Sequence, residues 1–221
     1  MYWNVGLIIG ISALPLLKKH IGSKSDAGKE DFLESLKNAA EIRLSPTFYY
    51  GSAADLVLQK GHEPQINKGL SEEQIEYITS VIEDSLIAQE GAKVGMCYHN
   101  VFALILADYQ DRMEFVEGYA CTSNGIVFRH AWVELDGGYI VDITWSNTEQ
   151  KMEERISSED AQTSVDISDR VLGEIPNGYH YLGVIIPKDD VTDFYYSNRL
   201  TSLLLESHRN NFKYLKEEFE L

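Results

Sequence analysis

The sequence predicts a single α+β domain: helices first, then an antiparallel sheet, then a helical tail. Two patterns lead there, apolar residues at helical spacing between 29 and 91 and short alternating apolar runs between 113 and 187. A third observation is size: 221 residues, 44% hydrophobic and 24% charged, suffice for one well-buried core. No internal repeat or domain-scale linker interrupts it, so residues 29–221 read as one domain and 1–28 as an apolar segment with a linker.

The first element is ambiguous. WNVGLIIGISALPLL, Trp3 to Leu17, is apolar and followed by Lys18, Lys19 and His20. A bilayer span needs about 20 apolar residues, and this run is shorter and broken by Asn4, Gly10 and Pro15. A secretory signal would carry its basic residues before the run. Two readings stand, a buried or interfacial segment, and a membrane anchor or atypical signal. An anchor followed by basic residues would leave the domain in the cytoplasm.

Residues 21–29 read as a polar linker, and KEDFLESLKNAAEIRL as a helix with Phe32, Leu36, Ala39, Ala40 and Leu44 on one face. Residues 45–70 hold turn formers and aromatics. SEEQIEYITSVIEDSLIAQEG reads as one helix, opened by Ser71 and Gln74 at capping-box spacing and ended at Gly91. Its stripe is Ile75, Ile78, Val81, Ile82, Leu86 and Ile87. A further helix runs from Cys97 to about Tyr109. The strands are MEFVEGYA, GIVFRHAWVEL, YIVDITWS and YHYLGVIIP, residues 146–178 form an irregular excursion, and the tail from Asp190 is mostly helical.

Lys and Arg number 19 against 35 Asp and Glu, a formal charge of −16. Such a surface repels phosphate backbones and anionic lipid, so nucleic acid is not an expected partner. Cys97 and Cys121 are too few for a disulfide framework, although a single bridge between them is compatible with the sequence. No CxxC or paired Cys/His spacing marks a zinc site, and no cofactor is implied. A reducing compartment, the cytoplasm, fits best.

In GMCYHN, Cys97 opens a helix, where unpaired N–H groups and the helix dipole favour a thiolate. Gly95 would permit a close backbone approach, and the Cys97 N–H is a candidate oxyanion donor. His99 lies about 200° around the helix from Cys97, so it faces away and reads as an exposed residue. Asn100, about 300° around, returns to the Cys97 side and is a candidate supporting contact.

The base is sought instead in RHAWVELDGGYIVDITW, two strands joined at Asp136-Gly137-Gly138. A three-residue loop with Gly138 in a left-handed bulge position pairs Leu135 with Tyr139, Val133 with Val141 and Ala131 with Ile143. That face is apolar and can lie on the Cys97 helix. The other face pairs Glu134 with Ile140, Trp132 with Asp142 and His130 with Thr144, so His130 and Asp142 become diagonal neighbours. A two-residue loop would turn Asp142 toward the apolar side, at high cost. In the favoured register His130 serves as general base for Cys97 and Asp142 orients it. Trp132 would cover the pair, while Trp145 packs on the opposite face.

GMCYHN, EGYA at 117–120 and HAWVELDGGYIVDITW together resemble the core of the transglutaminase-like superfamily of papain-like Cys-His-Asp enzymes, and small bacterial and phage members without an assigned substrate in particular. The resemblance covers about residues 71–147. It implies a nucleophile helix on an antiparallel sheet, with Cys97 as nucleophile, His130 as base and Asp142 as acid. The implied activity is thiol-dependent acyl transfer from a peptide or protein amide, through a thioester, to water or an amine. Hydrolysis or deamidation is favoured over cross-linking because water needs no second binding site. The calcium sites of the animal enzymes are not carried over. The alternatives are a catalytically inactive module that binds a peptide or protein partner, and a structural protein in which Cys97 merely packs.

Overall fold

A computed structural model describes residues 26–41, 50–148, 150–153, 166–198 and 202–205. The apolar run 3–17 lies outside them. Helices α1 (Asp26–Ala40), α2 (Ala53–Lys60), α3 (Glu72–Asp84), α4 (Ile87–Glu90) and α5 (Cys97–Ala107) precede strands β1 (Met113–Cys121), β2 (Val127–Leu135) and β3 (Tyr139–Ser146). Strands β4 (Arg170–Leu172) and β5 (His180–Ile186) and helix α6 (Lys188–Asn198) follow. The sheet is antiparallel in the order β4-β3-β2-β1-β5, so the α+β expectation holds. Among the described residues no helix is long and apolar enough to cross a membrane.

Several helical boundaries differ from those expected. Helix α1 begins at Asp26, inside the stretch read as linker, and buries Phe32 and Leu36. The turn-rich segment 45–70 contains α2, whose N-cap Ser52 accepts from Asp55 N. The single helix 71–91 divides at Ser85. The Ser85 hydroxyl donates to Ile82 O (2.7 Å) and accepts from Ile87 N (3.1 Å), so one side chain both ends α3 and restarts the chain as α4. Ile75 and Leu86 lie outside the buried stripe and are exposed, while Tyr77 is buried.

The capping box forms as expected: Ser71 Oγ accepts from Gln74 N, and Gln74 Oε1 accepts from Ser71 N. Gln74 Nε2 also donates to Asp136 Oδ2 (2.8 Å), tying α3 to the β2–β3 turn. Ser71→Ala is expected to cost about 1 kcal/mol, checked as a lower midpoint in urea unfolding.

The β2–β3 register is the expected one where the ladder runs: Val133 faces Val141, Glu134 faces Ile140 and Leu135 faces Tyr139. The turn differs in detail. Asp136 (φ 51°) and Gly137 (φ 74°) take the left-handed positions, and Gly138 has φ 151°. A Cβ on Gly138 would lie 2.8 Å from Gln65 Cβ, and Gly138 O accepts from Ile66 N. A close approach by the 62–66 segment therefore fixes glycine there.

Two apolar layers flank the sheet. Helix α5 lies on the face carrying Ala131, Val133, Val141 and Ile143, as the pattern requires. The opposite face gathers Val116, Ala120, Trp132, Ile140, Val171 and Tyr181. Asp108, just after α5, is buried and accepts from Met113 N (3.0 Å), Arg112 N (3.2 Å) and the Tyr77 hydroxyl. These bonds turn the chain from α5 into β1.

Residues 146–178, read as an irregular excursion, are described at 146–148, 150–153 and 166–178. These described parts hold a helical turn at 150–153, a 3-10 turn at Ile167–Asp169 and edge strand β4.

Candidate active site

The ladder between β2 and β3 ends at Val133 and Val141, and the first turn of α5 is tied in beyond that point. Asn100, fully buried, donates to Thr144 Oγ1 on β3 and to Lys93 O, both at 2.9 Å, and accepts from Lys93 N. Its contact is therefore not with Cys97. It clamps the loop before the helix to the strand carrying Asp142, and so fixes where Cys97 starts the helix. This joint explains how a cysteine on one face of the sheet reaches a histidine on the other.

Cys97 is the first residue of α5, whose N-cap, Met96, offers no side-chain hydrogen bond. The first N–H groups of a helix have no intrahelical acceptors, so those at Cys97 and Tyr98 are available to an oxyanion. Gly95 departs from the close-approach reading. A Cβ there would meet nothing within 4 Å, and its φ of +82° is what favours glycine.

His130 Nε2 donates to Asp142 Oδ2 at 2.7 Å. The Cys97 sulfur also acts on the ring, and with Nε2 taken by Asp142 the nitrogen left to it is Nδ1. Cys97, His130 and Asp142 are 7%, 2% and 0% exposed. Asp142 Oδ1 accepts from Thr144 N (2.9 Å) and Trp145 N (3.1 Å), and Oδ2 also accepts from Tyr181 Oη (3.1 Å). Burial alone pushes His130 down, but the Asp142 charge and hydrogen bond and the Cys97 sulfur outweigh it and push it up to about 10. Burial pushes Asp142 up, but His130 and the two backbone N–H groups hold it below the usual carboxylate range. The pair favours an imidazolium beside a carboxylate.

The ring that covers this pair is mainly Trp145. It stacks on His130 with centroids 4.4 Å apart, whereas Trp132 is 6.4 Å away. Trp145 was expected on the opposite face, and the correction has a local cause. The β3–β4 pairing shifts register between Asp142 and Ser146, because Asp142 turns the backbone of Thr144 and Trp145 onto its own carboxylate. Strict alternation ends at that bulge. Trp132 is fully buried and packs edge-on to Tyr181 at 5.3 Å.

Three contributors escaped the sequence reading. Tyr181 comes from β5, which carries no motif. Trp145 was assigned to the other face. Glu117, in the quoted EGYA, is buried and accepts from Leu203 N (2.9 Å), Leu204 N (3.2 Å) and the Ser202 hydroxyl. Burial pushes Glu117 up to about 7, against these hydrogen bonds. A lone acid at an inward position of an apolar strand was the available signal.

His99 is half-buried rather than exposed, with Nε2 3.6 Å from Glu90 Oε2. Both cysteines are free thiols, and burial, with the charge of Asp31, pushes Cys121 up to about 11. Among the described residues no group of three or more His, Cys, Asp or Glu side chains is placed to hold a metal ion. No family model, curated protein or solved structure matches the chain.

Proposed function

We propose that the chain is a cysteine acyl-transfer enzyme of transglutaminase-like, papain-like type, acting on peptide or protein amides through Cys97, His130 and Asp142. The observation that carries this reading is His130 held between a buried carboxylate and the sulfur at a helix start. Cys97 attacks the amide carbon as a thiolate whose proton already sits on His130 Nδ1, and the oxyanion forms beside the N–H groups of α5. His130 then protonates the departing amine, leaving a thioester on Cys97. Water, activated by the now neutral imidazole, releases the acid and restores the thiolate beside the imidazolium. Peptidase, amidase or deamidase action ranks ahead of cross-linking because water needs no site of its own. A cytoplasmic setting is part of the proposal, supported by the two free thiols.

The near-complete burial of Cys97 and His130 favours one second reading, an inactive module that binds a peptide or protein partner. Iodoacetamide separates the two. Near neutral pH it is expected to alkylate Cys97 at least about 30-fold faster than Cys121, since an unactivated thiol is only a few per cent thiolate. Peptide mapping by mass spectrometry reads both sites. Equal, slow labelling would remove the enzyme reading and leave the module. The substrate is sought by trapping acyl-Cys97 from lysate and identifying the acyl group by mass spectrometry.

A further inference from the structure

Arg129 precedes His130 on β2, beyond the end of the β3 ladder. Its partner across β1 is Tyr119, which places it on the face of Glu117 and α5 rather than on that of His130. The side chain is exposed and makes no hydrogen bond or ion pair with any described residue. The other two described arginines are engaged, Arg112 with Asp136 and Glu73, and Arg170 with Ser146.

Its charge reaches the start of the nucleophile helix. Burial pushes up Tyr98, Glu117 and Tyr119, and Arg129 opposes that push in all three. Tyr98 follows Cys97 directly, and its buried hydroxyl has no partner at hydrogen-bonding geometry. Glu117, on this face, feels the Arg129 charge but makes its hydrogen bonds to Ser202, Leu203 and Leu204 rather than to the guanidinium. In a chain of net charge −16, a guanidinium that no described residue pairs, on the strand position next to His130, is a directional receptor for a carboxylate.

We infer that Arg129 is a specificity residue that selects substrates carrying a carboxylate close to the amide presented to Cys97. This rests on the thiol-enzyme reading above. The carboxylate belongs to an acidic side chain or to a peptide C-terminus, sources that share one recognition chemistry.

Iodoacetate and iodoacetamide test it, since both alkylate sulfur with loss of iodide and differ in charge. On the full chain, Arg129→Gln is expected to slow iodoacetate at Cys97 by about three- to five-fold, the scale of an exposed charge pair, with iodoacetamide unchanged within about two-fold. Arg129→Lys should retain most of the iodoacetate rate. No change with either reagent, or equal slowing of both, would overturn the inference. Slow iodoacetamide labelling of wild-type Cys97 would instead overturn the enzyme reading, so the two failures are distinct. Protection of Cys97 by acetyl-Gln-Glu-amide assigns the acidic side chain, and protection by acetyl-Gln-Gln with a free C-terminus assigns the terminal carboxylate. Protection by neither overturns the inference.

Discussion

Replacing Asp142 by Asn is expected to cut acyl transfer by about a thousand- to ten-thousand-fold while keeping the fold. The reason lies in the backbone donors. Thr144 N and Trp145 N both donate to Oδ1, so an asparagine keeps its oxygen there and turns Nδ2 toward His130. Nε2 of the ring must then accept, which moves the ring proton to Nδ1, the nitrogen facing Cys97. A base protonated on that side cannot take the thiol proton. At pH 7 the iodoacetamide rate at Cys97 should fall about 30-fold, toward that of an unactivated thiol. Stopped-flow acylation with the trapped substrate reads the larger effect. An unchanged alkylation rate in a folded Asp142→Asn protein would remove Asp142 from the mechanism.

The same substitution alters stability with pH. Folding raises His130 to about 10, so the imidazolium contributes fully below the ordinary histidine value of about 6.5 and its contribution is lost as pH rises through about 10. Asp142 is lowered on folding, so its contribution is present above the usual carboxylate value and is lost in acid. Chemical denaturation of the wild type should show declining stability from neutral pH toward 10, and Asp142→Asn should flatten that decline.

Gly183→Ala should destabilise the domain by roughly 3 kcal/mol, the upper range for overpacking. In a domain of this size that lowers Tm by about 6–12 °C. Gly183 faces Gly118 across the β1–β5 pair, and a Cβ on it would lie 2.5 Å from Trp132 Cη2 and 2.8 Å from Val116 Cγ1. Trp132 is fully buried against Tyr181, so it can yield only by disturbing the ring that donates to Asp142. Slower Cys97 alkylation should therefore accompany the lower Tm. Differential scanning calorimetry with the alkylation assay checks both, and a normal Tm would show that β5 slides to make room.

The outline of the site was legible because local rules governed it. The hairpin register followed from one apolar face: any shift by one residue would have sent Asp142 into the layer beneath α5. The capping box at Ser71 and Gln74 needs no partner beyond its own turn. Where a single side chain redirected the backbone, periodicity failed. Ser85 split one predicted helix into two, and Asp142 bent β3 so that Trp145 came over His130. Hydrophobic spacing carries no record of such a bond, because serine and aspartate are equally at home exposed.

By itself, then, the sequence determined the α+β order and the antiparallel hairpin, and it singled out Cys97, His130 and Asp142 as one candidate group. The order and the hairpin depend on residue type and on separations of one strand or one helical turn. Only the tertiary structure decided that β5 brings Tyr181 to Asp142, that Asn100 clamps Lys93 to Thr144, and that Glu117 receives residues 202–204. Each of these joins residues 39 to 87 positions or a chain reversal apart. Which distant groups meet is set by how the layers close over the core, and no local pattern encodes that.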